Sequence, residues 1–487
     1  MTASPSPDRA AESPQPSASS KRLLPWLVAV AFFMESLDTT ILNTAVPAVS
    51  EALQVTPLSM KAVLASYTLS LAVFIPISGW MADRFGTRRV FSSAIGLFTL
   101  GSLLCGLSAN IHVLVAFRIL QGMGGALMVP VGRLTLVRTF PKSDLIRIMS
   151  FVSIPALVAP MLGPIAGGLI VGYFHWRLIF FLNIPIGIVG LVMVYLHLPN
   201  YLEETHPLDA VGLILFGSGI ALLSYVLEVF GEHTLSGREI TSMLALSVAL
   251  LLGYWLHAKS LQFPLLQLRL LAIRTLRVSV NGGLFTRLGI GGVPFLLPLL
   301  YQTGLGYTPI QSGLLIMPQA LGAMSVKAVL RRVLALLGYR GVLISNTVII
   351  GVLLALFSTI DMHTPVWVIV LLQFAYGWFT SLQYTSMNTL VYADIGDHDA
   401  SAASSIASTF QQMSISFGVA TAGLTTAFFI PGAASSGPPE MIHGIHLAFR
   451  ALGGLTIVST LVFSSLKRDD GQAVSLQKPL QQQHPDG

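Results

Sequence analysis

Glu35 and Asp38 stand three residues apart in LVAVAFFMESLDTTILNTAVP, an otherwise apolar run. That spacing puts both carboxylates on one helical face, and Thr39, Thr40 and Asn43 extend its polar character. Carboxylates are costly in hydrocarbon and face a bundle interior or a water-filled cavity. There they can exchange a proton, attract a cationic ligand, or both; a purely structural polar network is the competing reading. Arg118 occurs in another apolar run with Gln121 on its face, in RILQGMGGALMVP. A guanidinium keeps its proton, so Arg118 would hold a negative partner and alter that partner's proton affinity. Asp38 and Glu35 are the candidate partners. Gly122, Gly124 and Gly125 lack the preceding strand of a dinucleotide loop and suit close helix packing instead.

The second half of the chain has its own polar positions. Arg287 falls about ten residues into its run, near mid-depth at ~1.5 Å per residue. Arg450 lies nearer the opposite end of the last run. Gln373, Tyr376, Gln383, Tyr384 and Asn388 make one segment unusually polar, and Gln411 and Gln412 do the same for the next. With Asn43, Gln121 and Arg287, these are candidates for lining a cavity that takes an amphipathic ligand, since such sites combine aromatic faces with few polar groups. His443 and His446 share a face but lack a third ligand for a metal. No P-loop, nucleophile elbow or zinc-hydrolase motif is present, so an enzyme and an ATP-driven pump acting alone are disfavoured. No cofactor and no metal are expected.

The elements that must position these groups follow from composition. The chain has 487 residues, 53% hydrophobic and only 10% charged, against about 25% charged in ordinary soluble domains. Its mean hydropathy is +0.75. These values describe a chain whose solvent is mostly hydrocarbon. A span needs roughly 20 mostly apolar residues, and fourteen segments qualify: 26–48, 61–82, 90–109, 112–135, 146–170, 176–198, 208–230, 241–258, 277–301, 309–329, 341–360, 366–390, 402–429 and 443–464. Pro, Gly, Ser or a basic residue interrupts 146–170, 309–329 and 402–429. The single Cys105 lies within an apolar run, which excludes a disulfide framework.

Lys and Arg alternate in density between successive connections. Arg84, Arg88, Arg89, Arg133, Arg138, Lys142, Arg147, Lys259, Arg269, Arg274, Arg277, Lys327, Arg331, Arg332, Arg340, Lys467 and Arg468 fall on one side; Lys61, Arg177 and Arg238 fall on the other. By the positive-inside rule the dense side is cytoplasmic, and both termini lie there. This bias accounts for the net charge of +6 without nucleic acid. The expected architecture is an all-α integral membrane protein of fourteen transmembrane helices. It has a disordered tail (1–25), a six-helix bundle (26–198), a linker and inserted two-helix hairpin (199–258), and a cytoplasmic connection (259–276). A second six-helix bundle (277–464) and a disordered tail (465–487) complete it. None of the connections can hold a catalytic domain.

One connection, GWMADRFGTRR from Gly79 to Arg89, compresses an acid and three arginines between two spans. Asp83 near a helix end can meet exposed backbone donors or a neighbouring arginine. The segment PALVAPMLGPIAGGLI carries Pro155, Pro160 and Pro164, which bend a helix, and Gly163 and Gly167, which permit close approach.

Taken together, these motifs resemble the fourteen-helix drug:proton antiporter branch of the major facilitator superfamily over about 26–464. GWMADRFGTRR resembles the family's loop between helices two and three, RILQGMGGA its basic fourth-helix motif, and LGPIAGG its antiporter motif. LDTTILNTAVP resembles its first-helix signature, and WRLIFFLNIPIG the opening of helix six. The resemblance implies export from the cytoplasm by alternating access, driven by the proton-motive force, with a monomer sufficient. Asp38 becomes the proton-coupling residue with Arg118 its regulator; Glu35 is a second carboxylate that the resemblance does not assign. Gly79, Asp83, Arg84, Gly86, Arg88 and Arg89 match a gating loop, and Gly163, Pro164, Gly167 and Gly168 a flexible antiporter helix. LLALLGYRG, around Gly338, stands where a second gating loop belongs, without the acid. In a cell with two membranes, the partners would be a periplasmic adaptor and an outer-membrane channel, besides lipid, protons and small-molecule substrate. The cargo stays open between drugs and one endogenous metabolite, and a non-transporting sensor or scaffold is the alternative class.

Overall fold

The computed structural model describes residues 18–203, 205–229, 236–396, 399–429 and 438–471. Within them the chain is helical without strands. Most of the two terminal tails expected to be disordered, 1–17 and 472–487, lies outside the described residues. The first half contains α1 (Ala18–Ala52), α2 (Lys61–Phe74), α3 (Ser78–Phe85), α4 (Thr87–Leu107), α5 (Ile111–Thr139), α6 (Lys142–Tyr173), α7 (Leu178–Phe181) and α8 (Asn183–His197). A hairpin of α9 (Ala210–Val229) and α10 (Gly237–Ser260) follows. The second half contains α11 (Arg274–Ile290), α12 (Val293–Leu299), α13 (Pro309–Ser325), α14 (Leu330–Phe357), α15 (Val366–Leu390), α16 (Ala400–Phe429), α17 (Pro438–Val458) and α18 (Thr460–Phe463).

Each of the fourteen expected segments carries helix. Among the described residues, eleven rods are long and apolar enough to cross a membrane. The other three segments are the interrupted ones. In α6 the first turns hold Asp144 and Arg147, and three prolines follow. The helix α13 has 17 residues, and α16 is rich in Ser, Thr and Gln. All three make contacts between the halves: α6 with α13, and α16 with α2. A helix that faces protein on several sides needs less hydrocarbon surface than one that faces lipid. The converse holds for α10, the least buried of the eleven rods, which presents Val248, Leu252, Trp255 and Leu256 outward. The protein is a multi-pass membrane protein.

Small residues set the distances between helices, since lipid supplies no hydrophobic force to press them together. A methyl placed at Gly101 of α4 would stand 2.7 Å from the Gln121 backbone of α5, and one at Gly124 would stand 2.5 Å from the Phe98 nitrogen. The RILQGMGGA glycines are therefore packing glycines, as their setting predicts.

One face of the molecule, here the charged face, collects Asp83, Arg138, Glu203, Asp209, Arg274 and Asp470 in connected ion pairs and backbone contacts. There the two halves keep separate cores. Leu24, Val28, Leu136 and Leu198 belong to one, and Val278, Tyr339, Leu390 and Leu466 to the other. At the far face a single core joins both halves, running from Val46, Leu58 and Trp176 to Leu300, Phe357 and Phe449. The hairpin bridges the seam: α9 packs on both α2 and α16, and Phe216 and Ile220 share a core with Ala72, Ile406 and Phe417.

Candidate functional site

Five helices meet at Asp38. Its Oδ2 accepts a hydrogen bond from Arg118 Nη1 at 2.5 Å. Its Oδ1 accepts from Gln121 Nε2 at 2.9 Å and from Asn183 Nδ2 at 3.0 Å. Arg118 also donates to Gln121 Oε1 at 2.8 Å and stacks over the Tyr67 ring at 4.2 Å. Asn183 is held in turn by Ser102 Oγ, which donates to Phe180 O. The side chains of Asp38 and Arg118 are 1% and 2% exposed. A desolvated pair is tolerable only when its remaining lone pairs and protons are satisfied, and here α1, α2, α4, α5 and α8 supply that shell. The sequence reading offered Asp38 and Glu35 as partners of Arg118, and the structure pairs Asp38; Gln121, expected to line a cavity, is instead fully buried in this network. The sequence reading missed Tyr67, Ser102 and Asn183. The one signal for Asn183 was its place inside LNIPIG, a polar amide within an apolar stretch.

Glu35 lies about one turn from Asp38 toward the charged face and is half-buried. Its carboxylate has a long contact from Ser36 Oγ at 3.5 Å. Asn43, farther along α1, is also half-buried.

The antiporter-like segment of α6 threads between α1 and α13. A methyl at Gly163 would sit 2.8 Å from Thr40 Cβ and 3.1 Å from the Ile41 nitrogen; Gly167 faces Ile41 O and Thr44 Oγ1. On the other side, a methyl at Gly168 would sit 2.9 Å from the Pro309 carbonyl carbon, and one at Gly313 would sit 2.8 Å from that of Pro164. Pro164 O accepts a hydrogen bond from Thr44 Oγ1 at 3.1 Å. Thr44 O accepts one from Gln302 Nε2 of the second half at 2.8 Å. This stretch of α6 thus packs between the two halves at the far face.

At the charged face, Asp83 accepts a bond from Arg138 Nη2 at 2.7 Å, and the same nitrogen reaches Glu203 Oε1 at 2.8 Å. Backbone bonds from Thr87 N to Tyr201 O and from Glu203 N to Asp83 O lay the 199–203 segment against the loop. Gly86 has φ 91°, a left-handed conformation that favours glycine, and its surface is covered by the Asn200 side chain. Arg84 and Arg89 are exposed, Arg88 faces the Tyr195 ring, and Gly79 has open space around it. The second half repeats this construction. Gly338 has φ 65° and lies beside Arg468 O. Asp470, from the segment after α18, pairs with Arg274 at this face.

Asp209 ties the hairpin to this face. Burial alone would raise its carboxyl, but the hydrogen bonds with His257 and from the Leu265 and Gly212 N–H groups hold it below its ordinary value. Trp80 of α3 donates to His206 O at 2.7 Å, and His206 stacks on Phe263 with ring centroids 3.6 Å apart.

In the second half, Arg287 donates to Asn388 Oδ1 and Gln411 Oε1, each at 3.2 Å, and lies 5.0 Å from the Tyr384 ring. Four of the proposed lining residues therefore form one cluster. Gln373, Tyr376 and Gln383 sit elsewhere and present no exposed surface. Gln373 donates to Tyr301 OH at 2.9 Å. Gln383 accepts from Asn346 and donates to Thr347, joining α14 to α15. In this conformation these three hold helices together. Arg450 donates to Ser358 Oγ at 2.9 Å, and His446 lies 2.9 Å from Ile360 O, both near the far face.

The chain matches the family model described as Major Facilitator Superfamily over residues 28–419. A relative from Serratia proteamaculans, named "Putative multidrug resistance protein MdtD", is 38% identical over 91% of this chain and 93% of its own length. One of the same name from Escherichia coli O157:H7 is 41% identical over 83% and 86%. Among solved structures, a bacterial homologue of the human lysosomal transporter Spinster, inward-facing and unoccupied, superposes with TM-score 0.68 at 13% identity, covering 95% of this chain and 100% of that one. A D-xylose–proton symporter superposes with TM-score 0.64 at 14% identity, over 93% and 99%.

Proposed function

Because the chain belongs to the Major Facilitator Superfamily, we propose that it is a proton-coupled antiporter exporting small amphipathic molecules, drugs among them, by alternating access. The relatives' names support the multidrug reading. The observation that carries the mechanism is the buried Asp38–Arg118 pair. Ionised Asp38 accepts bonds from Arg118, Gln121 and Asn183 and so ties α1 to α5 and α8. Protonation removes the charge that holds Arg118 and turns an acceptor oxygen into a donor, so three contacts weaken together. Thr44 lies six residues further along α1, about 9 Å at the helical rise. It bonds both Pro164 O and, through its carbonyl, Gln302. A shift of α1 on protonation would reach the far seal directly.

In this reading the charged face is cytoplasmic and the structure is the inward-facing state, closed by the joint core at the far face. All fourteen segments cross the bilayer, and α6, α13 and α16 do so as inner helices. The halves 26–198 and 277–464 rock about the seams with α9 between them. Asp83, Arg138 and Glu203 latch one side. A monomer in the bacterial inner membrane suffices, energy comes from the proton-motive force, and adaptor and outer-membrane channel would serve as accessory partners.

The test is export by purified protein in vesicles with an imposed pH gradient, across a panel of amphipathic compounds. Substrate-dependent proton flux in exchange for efflux is expected. Folded protein that moves no proton with any compound would sink the proposal.

A further inference from the structure

Arg287 is 5% exposed, a buried cation of the second half, as Arg118 and Lys61 are of the first. The two arginines differ in one respect. Arg118 is neutralised by Asp38, whereas Arg287 has no carboxylate within ion-pair distance among the described residues. Its partners are two neutral amide oxygens and one ring face, and its Nε is buried without a hydrogen-bond partner. A guanidinium withdrawn from water is balanced by an anion in most buried settings, and its planar fork fits a carboxylate with two parallel bonds.

The helix that carries Arg287 is broken just beyond it. The helix α11 ends at Ile290, one turn further on, and α12 starts only at Val293. At this mid-span break Gly291 and Gly292 allow α16 to approach: a methyl at 291 would stand 3.2 Å from Ile415 O, and one at 292 would stand 3.0 Å from Gly418 O. Broken helices inside a membrane bundle are tolerated where they are packed in protein or line a cavity. Within the buried part of the helices that open the two halves, Asp38 of α1 has a charged partner, and Arg287 of α11 has none within ion-pair distance among the described residues.

We propose that Arg287, with Asn388, Gln411 and Tyr384, is the recognition site for an anionic group on the transported molecule, so that the substrate is an amphiphile bearing a carboxylate. Arg287 and the two amides take the carboxylate and the Tyr384 ring covers the adjoining apolar part. This deepens the exporter reading and rests on it for the word substrate; the site itself does not.

The experiment compares three probes of similar size on the purified full-length protein: 2-naphthoate, 2-naphthamide and N-methylquinolinium. Equilibrium binding is read by tryptophan fluorescence in nanodiscs. The same probes are then tested for proton flux in vesicles. Naphthoate is expected to bind at least tenfold more tightly than the amide. Arg287→Gln should abolish that preference, and Arg287→Lys should keep part of it. Naphthoate binding no tighter than the amide overturns the proposal on the native protein, without any variant having to fold. An Arg287→Gln protein that is monodisperse and keeps the full preference overturns it too. Tight naphthoate binding that Arg287→Gln removes, with no proton flux for any probe or for the wider panel, sustains the anion site and defeats the exporter reading instead.

Discussion

Arg118 and Asp38, 80 residues apart in sequence, meet at 2.5 Å between α5 and α1 with almost no exposed surface. A contact of that kind constrains every substitution at either end. Removing one charge of a desolvated pair strands the other, at about 3–5 kcal/mol.

Asp38→Asn keeps the shape and abolishes the proton cycle. We expect pH-driven export to fall to background and thermal stability to drop by several degrees. Adding Arg118→Gln should restore stability, because the stranded charge is gone, and leave export lost. Near-normal pH-driven export by Asp38→Asn in vesicles would reject the assignment of Asp38 as proton carrier.

Asn183→Ala tests a residue that the motif pattern did not single out. It deletes one donor to Asp38 Oδ1 and leaves Ser102 Oγ without that partner. A net hydrogen bond of about 1 kcal/mol corresponds to a roughly fivefold change. The expected result is export reduced by about that factor in a folded, membrane-inserted protein. Unchanged export rates would place Asn183 outside the coupling site.

The glycines divide by their surroundings. Gly168→Val would drive a side chain into the Pro309 backbone, which cannot swing aside, at a cost of about 1–3 kcal/mol for overpacking. Export should fall at least tenfold while the protein still inserts. Gly79→Ala meets nothing within 4 Å, and export should stay within twofold of wild type. Equal sensitivity of the two sites in the vesicle assay would contradict the seal geometry.

Asp83→Asn removes the charge that pairs with Arg138, at side chains 28% and 15% exposed. Pairs this wet contribute about 0–1 kcal/mol, so melting should barely move. The effect should appear in the balance between inward-open and outward-open states, read by double electron–electron resonance across the charged face. Unchanged populations and unchanged export would remove the latch role.

Asp209 fixes a pH window for the hairpin. Its folded carboxyl titrates below its ordinary value, so its contribution is fully present above the unfolded value of about 3.9 and is lost as pH falls through the depressed folded value. Hydrogen exchange of the 261–268 segment should therefore be flat from pH 5 upward, after correction for the intrinsic rate, and rise only in strong acid. Asp209→Ala should show the raised exchange at every pH.

Much of this protein is determined by the order of its residues alone. Segment positions and charge bias depend on local composition, because hydrocarbon penalises any run that is too short or too charged, wherever it packs. The three segments with interrupted hydropathy turned out to be α6, α13 and α16, all of which contact the other half, and the interruption has the same local cause. Asp38 and Arg118 were legible for a related reason: ionisable groups are so costly in lipid that their presence marks a site.

Neutral polar residues carry no such mark. Asn183, Ser102 and Tyr67 went unmarked in the sequence, and the tertiary structure sets them around Asp38 and Arg118, while Gln373 and Gln383, expected to line a cavity, bond neighbouring helices. An amide or hydroxyl is tolerated in either role, and which one it takes depends on the rotation of its helix against neighbours tens of residues away. The same packing decided that Arg118 is paired and Arg287 is not. Both are arginines in apolar runs, and only the arrangement of helices around them sets an acid beside one and two neutral amides beside the other.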